Sequence, residues 1–286
     1  MDSSPANASL PSSDTGPVSG AGVHPADRRP DTPAPPPKPV PRDKFRLRFT
    51  KGEGLRLLSH HDLLRCFERM LRRAALPFHS TQGFHPHPRI VFALSLPLGV
   101  VGREEVAELE LDEVLPPEEV LDRLRRQAPP GIDILSARRV PLKATAQVRS
   151  LRYRLPLPPQ RVGAVRERAA RLLASAEVWL ARGKPQPGQV PLTARQPDPE
   201  QAGAARVNGR PFLRDLRVGR PEGEEHQTAT DALEIDLWLT PAGTARPVEL
   251  LTLLGLTDLL EAGAVLERTR LELHDESSPP SSPGPP

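Results

Sequence analysis

The segment Phe45-Arg46-Leu47-Arg48-Phe49 alternates strictly between apolar side chains and arginines. Because successive side chains of a strand point to opposite faces, this pattern predicts a strand with one buried face. Apolar residues then recur at helical spacing from Ser59 until Pro77, which indicates a helix. Two strands (89–96 and 105–112), a second helix (116–127) and a fourth strand (131–140) are predicted to follow. The resulting order, β-α-β-β-α-β, is that of a ferredoxin-like split unit.

The second half of the chain repeats this pattern. Its predicted elements are strands at 151–155, 233–239 and 264–273 and helices at 160–177 and 247–254, with weak strands near 187–194 and 206–218. Within these elements, Pro247-Val248-Glu249-Leu250-Leu251 resembles Pro117-Glu118-Glu119-Val120-Leu121. We therefore predict an α+β protein of tandem ferredoxin-like units with antiparallel sheets, one unit at 43–145 and one at 146–274.

Charged residues repeat in the same way. The first predicted strand of each half carries two arginines, and the third carries two acids: Arg46 and Arg48 with Glu108 and Glu110, and Arg152 and Arg154 with Glu234 and Asp236. The first and third strands of a ferredoxin-like sheet are neighbours, so these side chains are expected to form cross-strand ion pairs. Arginines paired in this way would be less available for binding phosphate.

Composition limits the classes of protein that remain. Both ends, 1–42 and 275–286, are rich in proline and poor in periodic apolar residues, so we predict that they are disordered. The single cysteine, Cys66, excludes a disulfide within the chain and the three-cysteine cluster site of a radical SAM enzyme. No apolar run is long enough to span a membrane, so we expect a cytoplasmic protein.

Histidines concentrate in two short stretches. Five of the eight histidines lie between residues 60 and 87, in Leu58-Ser59-His60-His61-Asp62-Leu63-Leu64-Arg65 and around Ser80-Thr81-Gln82-Gly83-Phe84-His85-Pro86-His87-Pro88-Arg89. This pair of motifs resembles a radical-SAM-linked family of unknown function, whose members are fused to, or encoded beside, cobalamin-binding-type radical SAM proteins. The resemblance covers residues 44–273, including Arg268-Thr269-Arg270-Leu271. It implies a radical SAM protein as partner, and it implies no particular reaction.

The resemblance also implies which residues form the site. The residues that match the family's motifs are His60, Asp62, Arg65, Gln82, Gly83, Phe84, His87 and Arg89. Ser59 and His85, which flank these residues in the same stretches, complete the candidate site. We expect the helix start at Ser59 and the proline-stiffened stretch ending at Arg89 to form one polar pocket.

Three interpretations of these residues stay open. In the first, His60, Asp62, His85 and His87 bind a metal, although a separation of two residues places His60 and Asp62 on different sides of a helix. In the second, the exposed N–H groups of the helix start bind an anion or RNA. Phe84 and His85 would then stack on unpaired bases, and a helical stripe of arginines would contact phosphates: Arg65, Arg69, Arg72 and Arg73. In the third, Ser59 and Asp62 only cap the helix.

These interpretations lead to the functional prediction. We favour an accessory protein that binds RNA, expected to be tRNA, or another substrate, and that acts with a radical SAM partner. We expect no metal, no cofactor and no membrane association. One alternative is a metal-independent enzyme with His60 or His87 as the acid–base group and Asp62 as the residue that orients it. The other alternative is a protein-binding adaptor that docks through residues 79–89.

Overall fold

The computed structural model describes residues 42–81, 86–182, 205–220 and 230–276. The chain divides into two units, Met1–Pro39 and Val40–Pro286, and all described residues lie in the second. The α-helices are α1 (His60–Arg73), α2 (Pro117–Gln127), α3 (Pro159–Ala174), α4 (Pro247–Leu253) and α5 (Thr257–Glu261). The strands are β1 (Asp43–Lys51), β2 (Ile90–Phe92), β3 (Val101–Leu111), β4 (Ile134–Arg139), β5 (Val148–Pro156), β6 (Trp179–Arg182), β7 (Ala205–Asn208), β8 (Leu213–Gly219), β9 (Ala232–Trp238) and β10 (Glu267–Leu273).

Several predicted segments fall outside this description. The strand predicted near 187–194 and nearly all of the two ends predicted to be disordered lie outside the described residues. Arg42, Asp275 and Glu276, which belong to those ends, are described and form contacts within the fold.

One large mixed sheet dominates this α/β protein. Its strand order is β4-β1-β3-β10-β5-β9-β8, with β2 pairing to β3 beside this path, and β6 and β7 form a separate pair. All neighbouring strands are antiparallel except β3 and β10. Those two pair in parallel, Val101 with Glu267 and Gly102 with Arg268. The separate antiparallel sheets expected from the sequence are therefore a single mixed sheet, because this parallel pairing joins the halves.

The strands of both halves follow the same order. Strands of the first half lie in the order β4-β1-β3-β2, and those of the second half in the order β10-β5-β9-β8. Each half thus has its fourth strand next to its first, then its third and its second. We call the junction of β3 and β10 the seam.

Two hydrophobic clusters cover the buried side of the strands. One contains Phe45, Leu47 and Phe49 of β1 packed with Phe67 of α1 and Leu124 of α2. The other contains apolar residues of β5, β9 and β10 packed with α3 and α4. Because side chains alternate along a strand, Arg46 and Arg48 point to the side of β1 that faces away from α1 and α2.

Cross-strand ion pairs follow the predicted pattern in most positions. Arg46 donates to the Glu108 carboxylate at 2.9 Å, and Arg152 donates to Asp236 at 2.7 Å. Arg154 pairs with Glu234 at 3.6 Å. Arg48 differs from the prediction, because it pairs with Glu104 and Glu276, while Glu110 pairs with Arg89.

Candidate functional site

Ser59 caps the start of α1. Its extended backbone (φ −68°, ψ 164°) places the hydroxyl where it accepts a hydrogen bond from the Asp62 backbone N–H at 3.2 Å. The same hydroxyl donates to the Asp62 carboxylate at 2.6 Å. Asp62 also lies 3.7 Å from the exposed Arg65 guanidinium. The Ser59 and Asp62 side chains therefore close the helix start, as the capping interpretation predicts.

His60 lies on an aromatic cluster at the same helix start. Its imidazole packs edge-to-face on Phe92, with ring centroids 5.4 Å apart, and Phe92 in turn contacts Phe49 and Phe67. The Ser95 hydroxyl lies 3.5 Å from His60 Nδ1. The imidazole is exposed to solvent, so it is held on one side and accessible on the other.

A buried ion pair at the seam holds the loop that carries Ser95. Arg268 forms two hydrogen bonds to the Glu105 carboxylate and donates to the carbonyl oxygens of Ser95 (3.3 Å) and Leu94 (3.4 Å). Burial lowers the pKa of the Arg268 guanidinium and the Glu105 carboxylate raises it, and the net direction is upward. A buried guanidinium that stays charged thus positions Ser95 beside His60.

Lys51 holds the segment on the other side of His60. Its ammonium donates to the carbonyl oxygens of Leu58 at 2.8 Å and Arg56 at 3.3 Å. Burial of the side chain lowers the pKa of Lys51, and the nearby Glu105 opposes that shift. Two buried cations therefore order the backbone before α1 and after β2.

The sequence alone does not identify Lys51, Glu105 and Arg268 as residues that support the site. Lys51 and Glu105 belong to no motif, although both are almost fully buried. Arg268 does belong to a motif, since it is the first residue of Arg268-Thr269-Arg270-Leu271, which contributes to the family resemblance. The motif marks Arg268 as a family residue, but it does not predict that Arg268 contacts the loop beside His60.

The described parts of the histidine-rich stretch form a short ladder beside β3. The His79 N–H donates to the Glu110 carbonyl at 2.8 Å, and the Arg89 N–H donates to the His79 carbonyl at 2.7 Å. Nearer the tip, the Thr81 N–H donates to the His87 carbonyl at 2.9 Å. Backbone hydrogen bonds therefore fix both ends of the stretch against the sheet.

His87 brings this stretch to the middle of α1. Its Nδ1 lies 3.3 Å from the Glu68 carboxylate, and Arg89 Nε lies 3.3 Å from Glu110. Glu68 follows His60 by eight residues, which corresponds to roughly 12 Å along the helix axis. Among the described residues, no hydrogen bond or ion pair joins His60 or Asp62 to His87 or Arg89. The stretch contacts α1, but two turns from its start.

Gln82, Gly83, Phe84 and His85 lie outside the described residues. The metal interpretation requires His85, so it stays a prediction. In the described part of the chain, no group of three or more His, Cys, Asp or Glu side chains has the arrangement of a metal site.

Four arginines form an exposed row along α1. They follow helical spacing and are all solvent-exposed: Arg65, Arg69, Arg72 and Arg73. Arg72 lies over the Phe78 ring at 5.2 Å, and Arg69 and Arg73 donate to backbone carbonyls. In the described ranges, Arg65 is the one member that contacts a carboxylate. We call these residues the arginine row.

None of the helices in the described residues is long and apolar enough to cross a membrane.

Comparison with known proteins identifies the family to which the chain belongs. No curated protein sequence matches the chain. A crystal structure of an unknown protein from Galdieria sulphuraria aligns with 82% of this chain and 99% of its own, at 13% identity and a TM-score of 0.22. Residues 44–196 match the family described as "Uncharacterized protein conserved in bacteria (DUF2344)". That match spans both histidine-containing motifs and more than half of the sequence, so the chain belongs to the DUF2344 family.

Proposed function

We propose that the chain is an accessory RNA-binding protein, with tRNA as its expected RNA, and that it acts with a radical SAM partner. The observation that carries the RNA-binding part is the arginine row on α1. Its four guanidinium groups extend over about 12 Å of one helix face. Guanidinium forks bind phosphate oxygens through paired, charge-assisted hydrogen bonds, so this face suits a nucleic acid backbone.

The charge environment of the row supports this proposal. Most arginines of the sheet are paired with acids, as Arg46 is with Glu108 and Arg152 is with Asp236. Within the described part of the chain, Arg69, Arg72 and Arg73 contact backbone carbonyls or an aromatic ring and no carboxylate. A cation that has no carboxylate partner keeps more of its electrostatic attraction for an incoming phosphate.

The histidine-rich stretch would lie beside the bound RNA. His87 contacts Glu68 on α1, so the stretch is held close to the row. Pro86 and Pro88 restrict its backbone, which lowers the entropy lost on binding. In this proposal Phe84 and His85 stack on unpaired bases, and the row supplies phosphate contacts.

Binding of total tRNA to the full chain tests the proposal. We expect wild-type protein to bind at about 50 mM salt and to weaken as salt rises, because binding releases counterions. Arg69→Ala/Arg72→Ala should weaken binding and reduce the slope of log K against log[salt] by roughly one to two. The matched control is Arg166→Ala/Arg171→Ala on α3, which also removes two exposed helical arginines and should leave binding unchanged.

Two results would overturn the RNA-binding proposal. One is the absence of binding at low salt. The other is equal weakening by the row variant and by the α3 control, since that result would indicate attraction to any positive charge on the protein. Filter retention at several salt concentrations separates these outcomes.

The radical SAM partner rests on the family resemblance of the two histidine motifs. Co-purification of this chain with a radical SAM protein encoded beside it is the expected result. We expect His87→Ala to weaken that association if residues 79–89 dock the partner, which is the adaptor alternative. Failure to co-purify from cells that produce both proteins would contradict the proposed partnership.

The enzyme alternative has less support. Asp62, proposed to orient an acid–base histidine, makes its short contact with Ser59 in the helix cap. His60 and His87 contact different partners, Ser95 and Glu68. An enzyme with both histidines at one reacting centre would need the stretch around His87 to shift along α1.

We further propose that the halves are tandem ferredoxin-like units that arose by duplication. The support is their equal strand order, β4-β1-β3-β2 and β10-β5-β9-β8, together with the repeated helix motifs at Pro117 and Pro247. Two such units in one chain would give related surfaces, of which the first half carries the arginine row.

A further inference from the structure

An arginine-lined cavity lies at the seam, away from the arginine row. Its volume is about 360 Å³, which is within the range of small-molecule sites. It is lined by side chains of β1, β3, β4, β5 and β10, and by a residue that follows β10. Five arginines and three glutamates contribute: Arg46, Arg48, Arg138, Arg149, Arg270, Glu104, Glu272 and Glu276.

Two acidic residues at the end of the described chain lie on this cluster. The Asp275 carboxylate accepts two hydrogen bonds from Arg46 Nη1, at 2.7 and 2.8 Å. Glu276 pairs with Arg48 and accepts from Arg138 at 2.8 Å. We call Asp275 and Glu276 the acidic strap. The strap thus places two carboxylates against three arginines of the first half.

The hydrogen bonds of Arg46 explain why a carboxylate is bound at this position. Its side chain is 1% exposed, and Glu108 accepts from Nε and Nη2. The remaining nitrogen, Nη1, points to the strap, and Asp275 is the acceptor that satisfies it. Asp275 itself is 47% exposed, so a partner at the protein surface satisfies a deeply buried donor. Any group that displaced the strap would have to offer an acceptor oxygen to this nitrogen, and an anionic oxygen would make the stronger hydrogen bond.

Two arginines of the cavity remain accessible beside the strap. Arg270 Nε lies 3.8 Å from Glu272, too far for a hydrogen bond. Arg149 lies over the Trp238 ring at 5.3 Å and is exposed. These guanidinium groups come from β10 and the start of β5, whereas Arg46, Arg48 and Arg138 come from β1 and β4. The cavity is therefore surrounded by cations from both halves.

We propose that this cavity binds a small ligand through a phosphoryl group, and that the acidic strap competes with the ligand for Arg46, Arg48 and Arg138. A phosphoryl group carries several acceptor oxygens, so it can bond guanidinium groups from both sides of the seam at once. Each strap carboxylate reaches arginines of the first half alone. The ligand would thus connect the two halves, and the strap would set its affinity.

Calorimetric titration of the full chain with pyrophosphate tests this inference. We expect Asp275→Asn/Glu276→Gln to bind pyrophosphate at least tenfold more tightly than wild type, because the competing carboxylates are removed. Adding Arg270→Ala to that variant should cancel the gain. Arg126→Ala on α2, remote from the cavity, is the matched control and should leave the gain intact.

Citrate provides the comparison of ligand chemistry, since it is an anion with carboxylates and no phosphoryl group. Tighter binding of citrate than of pyrophosphate would overturn the phosphoryl assignment. Lack of pyrophosphate binding by a strap variant that melts cooperatively would overturn the site. If the double variant fails to fold, Glu276→Gln alone tests the same competition through Arg48 and Arg138. These outcomes do not depend on tRNA binding, which is assigned to Arg69 and Arg72.

Discussion

Arg268 and Glu105 show how much a single residue contributes to this fold. Both side chains are almost fully buried, and together they connect β10 to β3 and to the loop beside His60. A buried charge is tolerated when its partner and its hydrogen bonds are all present. Removing one partner leaves the other charge unpaired in a region of low dielectric constant.

Replacing Glu105 by Gln should therefore be strongly destabilising. We expect the free energy of unfolding to fall by about 3 kcal/mol, because Arg268 then stays charged without a counterion. Urea denaturation of wild type and variant measures the difference. Asp122→Asn on α2 breaks an exposed pair with Arg126 and should cost less than about 0.5 kcal/mol. Equal losses in both variants would contradict a special role for the buried pair.

Cys66 gives a second prediction for a single side chain. Burial raises the pKa of its thiol, while Arg69 and Arg73 oppose that shift. The folded protein therefore holds this proton more tightly than the unfolded chain does. The resulting contribution to stability is complete below the ordinary thiol pKa and is lost as pH rises through the raised value. Labelling by a disulfide reagent at pH 8 should be slower than for free cysteine, and urea should remove the difference.

At the scale of elements, α1 depends on its cap. Ser59→Ala removes the hydroxyl that accepts from the Asp62 N–H and should cost about 1 kcal/mol of stability. Ser59→Thr, which keeps a hydroxyl, should cost less. Thermal melting measures both variants. If Ser59 acts only as a cap, tRNA affinity of the alanine variant should stay unchanged at a temperature where it is fully folded.

Local patterns predicted some elements well. The alternation at 45–49 predicted β1, and Ser59 with Asp62 predicted the start of α1. The strand predicted at 89–96 is shorter, Ile90–Phe92, because the buried Arg268 holds the following residues as a loop. The short helix α5 escaped prediction, since five residues are too few to establish a helical period.

At the scale of the whole molecule, the sequence predicts relations within each half better than those between halves. The Arg46–Glu108 and Arg152–Asp236 pairs follow from strand order and side-chain alternation. The seam joins residues more than 160 positions apart, through two parallel residue pairs that no local pattern encodes. Arg48 illustrates the consequence, because its partner Glu276 lies beyond β10 in a segment that composition alone would place in a tail.

The position of β10 in the sheet has a consequence for synthesis of the protein. β10 lies between β3 and β5 in the sheet but follows both in the sequence, so its residues leave the ribosome after those of both neighbouring strands. Until then a nascent chain exposes an unpaired edge on each half, the kind of edge that templates aggregation. The sheet closes only after β10 has been made and has paired with both strands. A chain that ends shortly before Glu267 would therefore be a single polypeptide with two exposed strand edges, which chaperones and proteases recognise.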